Sequence, residues 1–247
     1  MKGRYMQDLK NRIVVLTGAG GGIGRAIAAR LAEEKMSLIL LGGNDLSKLE
    51  KTAETVRRSA PCTVIAGDLT DPHFLAEGIR QIRERSGVID VLINNAGKAQ
   101  NTPFEEVTYE EYDRIMAINV KAPFMLTQKA LPLLRNSSLP TIINIASIVS
   151  HHGYPLQSIY SASKHALLGM TKSIAREYYK ENIRVHAICP GGVYTDMVKI
   201  SRPDLTPEGM ILPEDIAEMV HFFLACRSSN AIIDEVLLHR AAKEPFT

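Results

Sequence analysis

The sequence predicts a doubly wound α/β fold, with a parallel sheet of about seven strands covered by helices on both faces. Three observations lead to it. Short β-branched and leucine-rich runs alternate with longer amphipathic stretches along the whole chain, as strands and crossover helices do. Each short run is apolar nearly throughout, the mark of a strand buried on both sides. The first run leads directly into a glycine cluster and then a helical pattern.

In order, strands are expected at Ile13 to Leu16, Leu38 to Leu41, Thr63 to Ala66, Val91 to Ile93, Thr141 to Ile145, Arg184 to Ile188 and Glu235 to Leu238. Helices are expected at Gly22 to Glu34, Leu46 to Ser59, Pro72 to Arg85, Thr108 to Leu134, Ser158 to Lys180 and Pro213 to Cys226. Thr108, Ser158 and Pro213 suit helix starts, and Pro123 and Pro132 should kink or divide the fourth helix. The one long irregular stretch, Pro190 to Leu212, reads as a flap over the site. No repeat or flexible linker interrupts the 247 residues, of which 45% are hydrophobic, so residues 1–247 read as a single domain.

Composition narrows the function. Lys+Arg at 29 against Asp+Glu at 27 leaves a net charge of +2, which argues against a nucleic-acid partner. The three cysteines, Cys62, Cys189 and Cys226, match neither a disulfide framework nor a zinc-ligand pair. No apolar run approaches the roughly 20 residues of a membrane span, and no signal-peptide pattern opens the chain, so a cytoplasmic protein is expected.

The glycine cluster reads Thr17-Gly18-Ala19-Gly20-Gly21-Gly22-Ile23-Gly24 and runs into a helix. Such a turn lets a pyrophosphate approach the backbone, where free N–H groups and the positive helix end stabilise it. No Lys-Ser or Lys-Thr follows the last glycine, which disfavours a P-loop and leaves a Rossmann-type dinucleotide site. Further on, Tyr160 and Lys164 stand four apart on an expected helix and so share a face, and Ser147 ends the strand before it. A phenol titrates near 10 in water, and bringing it to about 7 takes roughly 4 kcal/mol of preference for the phenolate. A lysine ammonium beside a cationic nicotinamide could supply that. Taken alone, the same Tyr and Lys are an ordinary exposed helix pair.

Together these motifs give the chain a resemblance to the short-chain dehydrogenase/reductase superfamily, of the compact type of about 250 residues. The family's glycine turn matches Thr17 to Gly24, and its Asn-Asn-Ala-Gly matches Asn94 to Gly97. Its catalytic Asn, Ser, Tyr and Lys fall on Asn119, Ser147, Tyr160 and Lys164. The resemblance implies hydride transfer between a nicotinamide and a small carbonyl or alcohol, with Tyr160 as general acid and base, Ser147 holding the substrate oxygen and Asn119 supporting a proton-relaying water. It implies cofactor contacts at Gly18, Gly20, Gly22, Ile23 and Gly24, at Asp68 and Leu69 beside the adenine, and at Asn95, Ala96 and Gly97. Tyr160 and Lys164 would lie at the nicotinamide ribose, and Pro190, Gly191, Val193 and Thr195 along the nicotinamide. A homodimer or homotetramer, built from the helices carrying Asn119 and Tyr160, is implied as well.

Cofactor and substrate are less marked. Gly42 and Gly43 stand where the family carries its discriminating Asp or Arg. With no carboxylate to repel a 2′-phosphate, and Asn44 or Lys48 able to reach one, the reading leans to NADP(H) over NAD(H). Asp45 could turn inward and favour NAD, or simply cap the helix from Leu46. Tyr154, Gln157, Tyr194 and Met197 are candidate pocket walls, and the flap, with its prolines, suggests a shallow pocket. Reduction of a 3-oxoacyl thioester or another small ketone fits. His151 and His152 read as exposed or pocket-lining, and no metal site is expected. A dinucleotide-sensing protein without turnover is the alternative on the same fold.

Overall fold

A computed structural model describes residues 6–196, 198, 206–227 and 230–242. Seven strands, β1 (Ile13–Thr17), β2 (Ser37–Leu41), β3 (Cys62–Ile65), β4 (Val91–Asn94), β5 (Thr141–Ile145), β6 (Arg184–Pro190) and β7 (Glu235–Leu238), form one sheet. Their order is β3-β2-β1-β4-β5-β6-β7 and every pairing is parallel. Alternate residues of each strand face opposite sides. Val14 and Leu16 of β1 therefore pack with α1 (Gly22–Glu33), α2 (Leu46–Arg57) and α7 (Pro213–Ala225). Val15, between them, packs with α3 (Pro72–Ser86) and α5 (Ala122–Leu134) on the other face, which α6 (Ser158–Tyr178) also covers. The winding reverses between β1 and β4, so connections leave their carboxyl ends in opposite directions and open a crevice there.

The expected fourth helix is divided, but not by its prolines. It consists of α4 (Tyr109–Met116), a π turn at Ala117–Lys121, and α5. Pro123 sits in the first turn of α5, where proline is tolerated, and Pro132 lies inside α5 without ending it. The dividing turn surrounds buried Asn119, whose amide is fully engaged: Oδ1 accepts the Lys98 N–H at 2.8 Å, and Nδ2 donates to the Lys98 carbonyl and to Ser163 Oγ, both at 2.9 Å. Thr108 caps α4 through the Glu111 N–H as expected. β6 runs two residues beyond its expected end and takes Cys189 and Pro190 into the sheet. The segment expected to act as a flap lies partly outside the described residues, as does Met197.

Between sheet and helices lies a chain of buried amides and hydroxyls. Asn94 Nδ2 donates to Thr127 Oγ1 and Asn144 Oδ1, and Asn144 Nδ2 donates to Thr171 Oγ1 at 2.8 Å. It ties β4 and β5 to α5 and α6, so the helix carrying Tyr160 has a fixed height above the sheet. At the other side of β6, buried His186 stacks on Phe223 with ring centroids 4.6 Å apart and shares a hydrogen with the Ile233 carbonyl through Nδ1. Burial lowers its pKa to about 4. Because the unfolded chain takes up a proton near 6.5 and the folded one does not until about 4, stability falls as pH drops through that interval. The loss should reach roughly 3 kcal/mol at pH 4. Chemical denaturation across pH 4 to 7 should show a shallower acid slope for His186→Gln than for the wild type, and equal slopes would mean His186 is protonated in the folded state.

Candidate active site

The crevice begins at the glycine turn. Gly21 starts α1 in extended backbone with no side-chain cap, so the first N–H groups of the helix have no partner within it. The loop folds back on itself closely: a Cβ on Gly24 would stand 2.2 Å from the Gly18 carbonyl oxygen. Thr17 and Asn95 hold the turn in place. Thr17 Oγ1 accepts the N–H groups of Asn95 and Ala96, both at 3.1 Å, while Asn95 Nδ2 donates to the carbonyls of Thr17 and Gly18. The Asn-Asn-Ala-Gly segment is thus a fastening between β1 and β4 as well as a turn.

Above these elements lies a cleft of about 920 Å³. Gly18, Gly20, Gly22 and Ile23 of the turn line it, together with Asp68 and Leu69, Asn95, Ala96 and Gly97, Thr195, and Asp113, Arg114, Ala117 and Ile118 of α4 and the π turn. Gly24 lies beneath, in the packing of α1 against the turn. Pro190, Gly191 and Val193 do not line it. Pro190 ends β6, Gly191 packs under the Leu238 carbonyl, and Val193 is buried in the core beside Ile211. A cleft of this volume, with an uncapped helix end and a glycine cradle in its wall, fits a dinucleotide.

Beside Leu69 the two glycines after β2 have left-handed backbone, φ +86° at Gly42 and +96° at Gly43. A Cβ on Gly42 would also come within 2.4 Å of Leu69 Cγ. Neither position can carry the family's Asp or Arg without rerouting the chain. Asp45 caps α2 through the Lys48 N–H at 3.1 Å, and its carboxyl is held low by that bond. It does not turn into the cleft, whose lining includes Arg25, Asn44 and Lys48.

Gly97 joins the cleft to the second group of residues, because a Cβ there would lie 3.1 Å from Asn119 Oδ1 and 3.8 Å from Lys164 Nζ. Lys164 is buried, donates to the Ile145 carbonyl at 2.9 Å, and lies 5.8 Å from the centre of the Tyr160 ring. Burial lowers its pKa to about 8. The Tyr160 phenol is pushed above its usual value by burial, opposed by a hydrogen bond with Ser147. Ser147 caps the short turn Ile148–Ser150 and contacts the Pro190 carbonyl at 3.4 Å. Ser147, Tyr160, Lys164 and Asn119 therefore converge, from the turn after β5, from α6 and from the π turn, and they meet the cleft through Gly97 without lining it themselves.

Sequence reading passed over two supports. Buried Gln100 accepts the N–H groups of Ile159 and Tyr160 through Oε1, at 2.8 and 3.3 Å, and so caps α6 in place of Gln157, whose side chain does not. Ser163 Oγ links Asn119 to the Tyr160 carbonyl. His152 has no carboxylate partner among the described residues, whereas His151 contacts Glu235 of β7. That partner is 84 residues away in sequence, beyond the reach of local pattern.

Comparison with known proteins agrees with this architecture. A family model described as short chain dehydrogenase matches residues 12–206. A 3alpha-hydroxysteroid dehydrogenase of Mediterraneibacter gnavus is 34% identical over 93% of this chain and 95% of its own length. A 3-oxoacyl-[acyl-carrier-protein] reductase of Rickettsia bellii is 35% identical over 94% and 96%. An alcohol dehydrogenase of Thermococcus sibiricus, solved with 5-hydroxy-NADP, superposes with a TM-score of 0.85 at 25% identity, covering 95% of this chain and 98% of that one. No helix among the described residues is long and apolar enough to cross a membrane. With its parallel sheet, glycine cradle and matching family model, the chain belongs to the short-chain dehydrogenase/reductase family of NAD(P)-dependent oxidoreductases.

Proposed function

We propose that the protein reduces a small ketone, of the 3-oxoacyl thioester kind or simpler, with NADPH as hydride donor and Tyr160 as the acid. The observation that carries this reading is the convergence of Ser147, Tyr160 and Lys164 beside Gly97, which lines the glycine-rich cleft. The bound nicotinamide supplies the hydride and, once oxidised, a positive charge. Ser147 Oγ donates to the substrate oxygen and fixes it against the phenol. Tyr160 gives its proton to that oxygen as the carbon is reduced, and in the reverse direction receives it. Burial keeps the phenol protonated at neutral pH, the state that reduction requires. Lys164 stabilises the phenolate left behind and holds the ribose. Asn119 uses its amide to clamp Lys98 and Ser163, which supports a role in shaping the Tyr160 helix beside any relayed water.

The preference for NADPH rests on what surrounds the turn after β2. Lys48 is exposed and, among the described residues, is ion-paired with Asp45 alone at 3.5 Å, a surface pair that costs little to break. It can swing to a 2′-phosphate, with Arg25 and Asn44 on the same rim. Exposed Phe104, Tyr109, Tyr112 and Phe124, on or beside α4 and α5, support a homodimer or homotetramer through that face. The three free thiols suit a cytoplasmic protein.

Two measurements test the reading. Tyr160→Phe should bind NADPH as the wild type does and lose turnover by about a hundred- to ten-thousandfold on a panel of ketones and 3-oxoacyl thioesters. Retained turnover would remove Tyr160 from the chemistry, and cofactor binding by the wild type with no turnover on any substrate would favour a sensor. Lys48→Ala should weaken NADPH about tenfold and leave NADH unchanged, as loss of one charge-assisted contact to phosphate predicts. An equal effect on both cofactors, measured by fluorescence titration, would mean Lys48 does not read the phosphate.

A further inference from the structure

Outside the cleft, three side chains of different chemistry meet behind the turn that starts at Ser147. His151 ends that turn, Cys189 lies in β6 and Glu235 in β7. In the β6–β7 register Ala187 faces Glu235 and Cys189 faces Leu237, so the pleat puts Cys189 and Glu235 on the same side of the sheet. His151 Nε2, Cys189 Sγ and a carboxylate oxygen of Glu235 all lie within 4.8 Å of one another. The Cys189 S–H donates to Glu235 Oε1 at 3.2 Å, and His151 contacts the same oxygen. Cys189 is buried, while the side chains of His151 and Glu235 keep 29% and 18% of their surface open, so solvent reaches the group from one side.

We propose that His151, Cys189 and Glu235 form a binding site for a divalent transition-metal cation of the zinc type, with water as the fourth ligand. One thiolate, one imidazole and one carboxylate make a donor set suited to zinc, whereas calcium and magnesium take oxygen throughout. Zinc bonds of about 2.0 to 2.3 Å hold ligand atoms about 3 to 4 Å apart, so the widest side of the triangle need close by only about one ångström. His151, exposed at the end of its turn, is the ligand free to make that movement. The competing cation is Lys172, whose Nζ lies 3.5 Å from the other Glu235 oxygen on a side chain 58% exposed, and it can withdraw into solvent. On binding, the S–H bond breaks, a sulfur–metal bond forms and the proton passes to solvent, one for each metal ion. The metal joins the edge strand of the sheet to the turn bearing Ser147.

The test uses the full chain, treated with chelator and titrated with cobalt(II). The expected result is a thiolate-to-cobalt charge-transfer band and the intense visible bands of four-coordinate cobalt, saturating at one equivalent and displaced by zinc. His151→Ala, a change at a half-open turn, should weaken binding at least tenfold, and His152→Ala should not alter it. Cys189→Ser should abolish the charge-transfer band; if that variant fails to fold, Glu235→Gln serves in its place and should weaken binding as His151→Ala does. Absence of the band in the wild type overturns the proposal. A band that survives His151→Ala and Glu235→Gln at full affinity also overturns it, and moves the metal to Cys62 or Cys226. Binding is read without turnover, so failure here leaves the reductase reading untouched, and the reverse holds as well.

Discussion

The site depends on the hydrogen bonds that fasten Thr17 to Asn95 across the point where the sheet changes its direction of winding. A glycine-rich loop has little side-chain packing of its own, and its entropy on folding is high. Here its backbone is held from beneath by Asn95 and by the closeness of Gly24 to Gly18. The same segment continues into Gly97 and Lys98, which Asn119 grips. The segment Asn95 to Lys98 thereby braces the glycine turn at one end and Asn119 at the other, so one short piece of backbone ties the two groups together.

Much of this was legible in the sequence, and the limits follow physical range. Strands β1 to β7 and the glycine turn announce themselves through local pattern, since burial on both faces leaves a continuous apolar run. Tyr160 and Lys164 are legible because helical spacing places them on one face. The division of the fourth helix was expected at its prolines, but its place at the π turn was not legible, because that turn surrounds the Asn119 amide and its bonds to Lys98 and Ser163, partners 21 and 44 residues distant. Gln100 escaped for the same reason, capping a helix 59 residues away. The left-handed backbone of Gly42 and Gly43 was visible only as missing side chains, and its cause, the approach of Leu69, is a tertiary one.

Burial acts on the two titrating partners in opposite directions. It raises the Tyr160 phenol and lowers the Lys164 ammonium, so each disfavours its charged form when the cleft holds only protein. The hydrogen bond from Ser147 and the Ile145 carbonyl on Lys164 recover part of that cost. At neutral pH the pair is therefore an uncharged phenol beside a lysine that still keeps its proton, since an ammonium that titrates near 8 is mostly charged at pH 7.

The π turn adds one residue to the path from α4 to α5 without adding a turn. At 3.6 residues per turn, one extra residue rotates everything upstream by about 100° relative to an unbroken helix. The stripe of α4 that would have continued the buried face of α5 is turned outward, carrying Tyr109 and Tyr112 into solvent. The two segments thus present faces out of phase, the buried one of α5 turned to the sheet, and that of α4 carrying Tyr109 and Tyr112 outward while Asp113 and Arg114 line the cleft.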